Sequence, residues 1–121
     1  MVIYKVNSCF YQTICYNDNM YKLYLDDTRT PKTDGWVIKR SYEEAVVHVL
    51  EYGFPNYVSF DHDLGDADDK TGLDFAKFLV EMDQITMHMP KDFDFNVHSA
   101  NPVGAANIRH FMEGYLRHKK M

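Results

Sequence analysis

The chain has 121 residues, a formal charge of −5, 45% hydrophobic residues and 15% aromatic residues. That length fits one domain with its own core, and that composition excludes a disordered chain. The acidic balance argues against a surface that coats extended duplex nucleic acid, whereas a small anion can still be met through a bridging metal ion.

Residues 1–19 are aromatic and strand-prone, and they stand outside the pattern of the rest. They read as an N-terminal extension adding one or two edge strands to a domain over residues 20–121. Internal Met20, just before the first regular strand, is in keeping with such an extension. Cys9 and Cys15 form no CxxC and no zinc spacing, so both read as reduced thiols of a cytoplasmic protein. Lys5, Asn7, Ser8 and Gln12 interrupt any signal-peptide core, and no apolar run reaches the roughly 18 residues that span a membrane.

From Lys22 onward, strands alternate with helices. "KLYLDD" is an apolar run ending in Asp26 and Asp27, and "WVIKR" (36–40) is a second strand. Ser41 and Glu44 make an S-x-x-E helix start, Tyr42, Ala45, Val46, Val49 and Leu50 recur at helical spacing, and Gly53 stops the helix. "YVSF" (57–60) is a third strand. Thr71 and Asp74 open a helix whose stripe is Phe75, Phe78, Leu79 and Met82. "FNVHS" (95–99) is a fourth strand. Asn101 is the N-cap of the last helix, Pro102 its first residue, and Ile108, Phe111, Met112, Tyr115 and Leu116 its apolar face. This alternation predicts a parallel sheet in order 2-1-3-4, covered on both faces in a three-layer α/β sandwich.

Acids and histidines fall where such sheets bind ligands. "LDD", "FDHD" and "VHSAN" each close a strand, and parallel strands bring those ends to one edge, beside the switch in strand order. Asp26, Asp27 and Asp61 are therefore candidate ligands of a divalent cation, Mg²⁺ or Mn²⁺, with Asp63 counted among them. A histidine in the set would move the preference toward Mn²⁺, Fe²⁺ or Zn²⁺. His62 and His98 are candidate proton donors, although the turn decides where His62 points and His98 stays open between a structural histidine and a ligand. Ser99, Asn101 and Gly104 form a candidate phosphate site at the start of the last helix, where a capped helix without a ligand is the alternative. Asp66, Asp68 and Asp69 read as solvated loop charges. His48 reads as a packing or surface residue, and His88, His110 and His118 as surface. An EF-hand is excluded because Gly65 and Asp66 reverse the order of its loop.

"LYLDD", "SFDHDLG" and "HSANPVGAANI" together resemble response-regulator receiver domains, and more closely the variant called the cyclic-phosphate processing receiver domain. The resemblance runs from about Tyr21 to Arg117. It implies a receiver-like, flavodoxin-like fold, with Asp26 and Asp27 as the acid pair that holds a cation. Asp61 matches the phosphoacceptor position, and Ser99-Ala100 the hydroxyl residue followed by alanine. The chain departs from ordinary receivers in lacking a fifth strand with its lysine, and in carrying His62 and His98.

The expectation is a metal-dependent phosphoesterase (a hydrolase) acting on a cyclic phosphate, whether a small nucleotide or an RNA end. Asp61, His98, Ser99 and His62 would be its catalytic residues. The alternatives are a stand-alone receiver taking a phosphoryl group on Asp61, and a non-catalytic module that binds a nucleotide or a protein.

Overall fold

The structure is a computed structural model and describes residues 2–3, 5–6, 20–65 and 69–119. Two short strands, β1 (Val2–Ile3) and β2 (Lys5–Val6), pair antiparallel in a ladder of their own. They do not extend the main sheet, so the expected edge strands are absent from its edges among the described residues. The readings of Cys9, Cys15, Asp66 and Asp68 lie outside the described residues.

Four strands follow: β3 (Lys22–Leu25), β4 (Trp36–Lys39), β5 (Tyr57–Phe60) and β6 (Asp94–Val97). They form one parallel sheet in order β4-β3-β5-β6, the order read from the sequence. The helices are α1 (Tyr42–Tyr52), α2 (Gly72–Thr86) and α3 (Pro102–Lys119). Local chemistry sets their ends. Ser41 Oγ accepts from Glu44 N–H, and the Glu44 carboxylate accepts from Arg40 N–H, one residue before the cap. Thr71 and Asp74 form a complete capping box at α2. Gly53 closes α1 at φ 93°, a conformation that glycine adopts without strain.

The helices share one face of the sheet. The connections through α1 and α2 both move across the sheet in the same direction, and right-handed crossovers then place both helices on the same side. Leu23, Leu25, Val58 and Phe60 form one core with Ala45 and Val49 of α1, Phe75, Ala76 and Leu79 of α2, and Ile108 and Met112 of α3. Burying each large side chain stabilises the fold by about 1.5–3 kcal/mol. Leu50, expected on the inner stripe of α1, is instead exposed.

The opposite face carries Lys22, Tyr24, Trp36, Tyr57 and Ser59. Tyr24 and Tyr57 lie edge-on to Trp36, and the Lys22 ammonium sits 4.6 Å from the Trp36 ring centre. Among the described residues no helix covers this face, so the expected third layer has no counterpart. The reason lies in the β3–β4 connection, which would have to supply that layer. It is a loop over residues 26–35 containing Pro31 and Gly35.

At the outer edge of the sheet, Asp94 Oδ1 accepts from the N–H of Phe95 on β6 itself. A groove of about 430 Å³ runs between β6 and α3, lined by Phe95, Val97, Arg109, Glu113, Leu116 and Arg117.

Far from the strand ends, one buried acid joins α2 to α3. Asp83 accepts from Lys119 Nζ at 2.7 Å, Tyr115 Oη at 2.6 Å and Met89 N at 3.0 Å. Burial pushes its carboxyl up, but those donors outweigh burial and hold it below the ordinary carboxylate range. Asp83→Ala should therefore destabilise the protein by about 2–4 kcal/mol, because the buried Met89 N–H and two partly buried donors lose their acceptor. A carboxyl with a depressed folded pKa stabilises above its unfolded value and loses that contribution as pH falls through the folded one. Urea titrations at pH 7 and in acid should show the gap between wild type and Asp83→Ala shrinking in acid.

Candidate active site at the strand carboxyl ends

Register builds the site. Leu25, Phe60 and Val97 stand side by side across β3, β5 and β6. Each is followed by a polar residue: Asp26, Asp61 and His98. The ladder continues one step past the strands, with Asp26 N donating to Lys39 O, Asp61 N to Leu25 O and His98 N to Phe60 O. Alternation then puts all three side chains on the face of Tyr24 and Ser59. One ligand atom from each lies within 4.8 Å of the others.

Asp26 has no solvent exposure. Its Oδ1 accepts from Thr28 N at 2.9 Å and Arg29 N at 2.8 Å, and its Oδ2 lies 2.9 Å from His98 Nε2. Burial raises its carboxyl, but the bonds from Arg29, Thr28 and His98 prevail and hold it below the ordinary range. Asp61 is buried as well, with less support. One oxygen accepts from His62 N–H at 2.9 Å, and the other has no hydrogen-bond partner among the described residues. Burial, and then the charge of Asp26, push its carboxyl up despite the His62 N–H, His98 and Arg29. One carboxylate is thus held ionised, while its neighbour in the cluster has an oxygen without a partner among the described residues. A cation fits that need.

His98 is fastened on both sides. Its Nε2 meets Asp26, and its Nδ1 lies 2.7 Å from the hydroxyl of buried Ser59. Its ring stacks on Tyr24 at 4.4 Å and 6°. Neither nitrogen is free in this arrangement, so His98 meets a substrate or a cation only by exchanging one of these bonds.

Asp27 does not join the cluster. Its Oδ2 lies 3.1 Å from where a β-carbon on Gly65 would be, and Gly65 holds a φ of 90°. Asp63 is also outside the cluster and exposed. It binds His62 Nδ1 at 2.9 Å and Asn101 Nδ2 at 3.3 Å, and chiefly the bond with His62 holds its carboxyl low. The His62 ring packs on Gly104, where a β-carbon would come within 2.3 Å of His62 Cγ.

The start of α3 departs from the expected phosphate cradle. Pro102 has no N–H, and the N–H of Gly104 is taken by Asn101 Oδ1 at 3.0 Å. The space left by Gly104's missing side chain belongs to His62. Ser99 Oγ accepts from Asn101 N–H, which leaves its own hydroxyl proton to donate. Gly72 supports the site from below, because a β-carbon there would lie 1.7 Å from the Asp61 carbonyl oxygen.

Two residues absent from the sequence reading border the cluster. The Nε of Arg29 is 3.6 Å from Asp26 Oδ2, and its Nη1 donates to His98 O. Arg40 Nη1 donates to the carbonyls of Asp26 and Arg29, fixing the turn between them. The signal was present in "LDDTR", where Arg29 follows Asp26 by one turn.

A family model described as Cyclic-phosphate processing Receiver domain matches residues 21–114. The chain belongs to this family. No curated protein and no solved structure matches it. In this cyclic-phosphate processing receiver domain the β1–β2 ladder precedes the matched region, while every residue of the strand-end cluster lies inside it. No helix is long and apolar enough to cross a membrane among the described residues.

Removing the Asp61 charge should stabilise the metal-free domain. A carboxyl whose folded pKa is raised penalises the fold when ionised, fully above the folded value and not at all below the unfolded one. Asp61→Asn should melt a few degrees above metal-free wild type at pH 7, the response to about 1 kcal/mol. The two melting curves should converge in acid.

Proposed function

We propose that the strand-end cluster is the active site of a divalent-cation-dependent phosphoesterase that opens a cyclic phosphate. The observation that carries this reading is the buried trio Asp26, Asp61 and His98, with an unpartnered Asp61 oxygen and the Arg29 guanidinium alongside. These three residues would hold the cation. When bound, the cation supplies a Lewis acid for a phosphoryl oxygen and lowers the pKa of a coordinated water.

The chain's own residues do the rest. Arg29 pairs with the phosphate and offsets its charge, a task for which a guanidinium fork is suited. Ser99 donates its hydroxyl proton to a non-bridging oxygen. His62 is the proton carrier, since imidazole exchanges protons near neutral pH. Asp63 orients it through Nδ1, and Asn101 holds Asp63. As water's oxygen bonds to phosphorus and the ring P–O bond breaks, His62 gives a proton to the leaving oxygen and recovers one from the attacking water. The product is a phosphate monoester or, from a cyclic dinucleotide, a linear diester.

Screening 2′,3′-cyclic nucleotides, cyclic dinucleotides and RNA with a 2′,3′-cyclic end, each with Mg²⁺ or Mn²⁺, tests the reading. Turnover should stop with a chelator and return with metal. His62→Ala should slow turnover about 10²–10⁴-fold, the usual size of an acid–base contribution. Arg29→Ala should raise KM about tenfold or more, as loss of a charge-assisted bond does. A metal-loaded wild type that binds a cyclic phosphate and leaves it intact ends the proposal. Phosphate uptake on Asp61 from acetyl phosphate would instead favour the receiver reading.

A further inference from the structure

We infer that Ser59 is a positioning residue: its hydroxyl lets His98 turn a nitrogen lone pair toward a cation, and so sets which cations the site prefers. The inference rests on the cation site proposed above, and it concerns a residue inside the sheet that no substrate reaches.

Ser59 lies on β5, two residues before Asp61 and on the same face, with 3% exposure. Its Oγ is 2.7 Å from His98 Nδ1, and His98 Nε2 is 2.9 Å from Asp26 Oδ2. A carboxylate only accepts, so without a cation the ring proton sits on Nε2 and Ser59 donates to Nδ1. Coordination through Nε2 requires the opposite tautomer. The proton must then be on Nδ1, and whatever faces Nδ1 must accept it. A hydroxyl can both donate and accept, so Ser59 satisfies either form after a rotation of its own O–H. The Tyr24 stack and the Ser59 bond serve both forms, and the bond from Nε2 to Asp26 is the one that a cation replaces. The tautomer is therefore the variable that a cation selects and that Ser59 accommodates.

Replacing Ser59 with alanine leaves the coordinating tautomer with a buried N–H facing no acceptor. The loss falls on cations that favour imidazole, such as Co²⁺, and spares Mg²⁺, which is content with carboxylates and water.

The test uses the whole chain with Co²⁺ and Mg²⁺ as probes. Wild type loaded with Co²⁺ should show one hyperfine-shifted N–H proton resonance that vanishes in D₂O, and His98→Ala should lack it. Ser59→Ala should bind Co²⁺ about 10–100-fold more weakly, the usual cost of losing a partner behind a metal-bound histidine. Its Mg²⁺ affinity should change by less than about threefold, since Mg²⁺ does not depend on the imidazole. Ser59→Thr, which keeps the hydroxyl, should restore the Co²⁺ value. Taking the Co²⁺ to Mg²⁺ ratio within each variant removes any difference in folded fraction. A Ser59→Ala protein with the wild-type ratio overturns the inference, and so does a Co²⁺-loaded wild type without the shifted N–H resonance. Failure of wild type to bind either ion would overturn the cation site itself, which separates the two outcomes.

Discussion

A carboxylate with no access to water sets the terms for the strand-end edge. Asp26 is fully buried, and a buried anion costs several kcal/mol unless its oxygens are satisfied. Thr28 and Arg29 turn their N–H groups back toward Oδ1, so the loop after β3 must tighten at once. His98 must come close enough to meet Oδ2, which fixes the end of β6. Arg40 then ties that loop to the end of β4. The neighbouring strand ends are therefore arranged around one charge. Asp61 is the member left with an oxygen that has no partner among the described residues.

The sequence carried the sheet well. Four apolar runs with turn chemistry between them predicted parallel order, and the structure has that order. The identity of the edge was also legible, since acids and histidines ended three of the four runs. Side-chain direction was not. The sequence places Asp26 beside Asp27 and His62 beside Asp61, and says nothing about which of each pair continues the ladder. Continuation selects Asp26, Asp61 and His98 by alternation and sends Asp27 toward Gly65. His98 illustrates the difficulty. Its environment comes from Tyr24 and Ser59, 74 and 39 residues away in sequence, and both read as ordinary strand residues. The missing third layer was illegible for a different reason, because strand alternation predicts crossovers without saying whether each carries a helix.

Glycine takes two opposite parts here. At Gly53 it supplies a backbone conformation that ends a helix. At Gly72 and Gly104 it supplies absence, letting the Asp61 carbonyl and the His62 ring occupy the volume of a side chain. Read as a sequence, "NPVGAAN" suggested room for a phosphate. In the fold that room holds the His62 imidazole.

The outer strand of a sheet is a template on which other chains can assemble, and among the described residues no strand pairs with the outer edge of β6. Asp94 answers that hazard by folding its carboxylate onto the N–H of Phe95, a donor that an arriving strand would need. A newcomer must displace a charged group before it forms its first bond. The side chain costs no length of strand and needs no covering element. An acid at the rim of the sheet thus makes strand addition at β6 costlier.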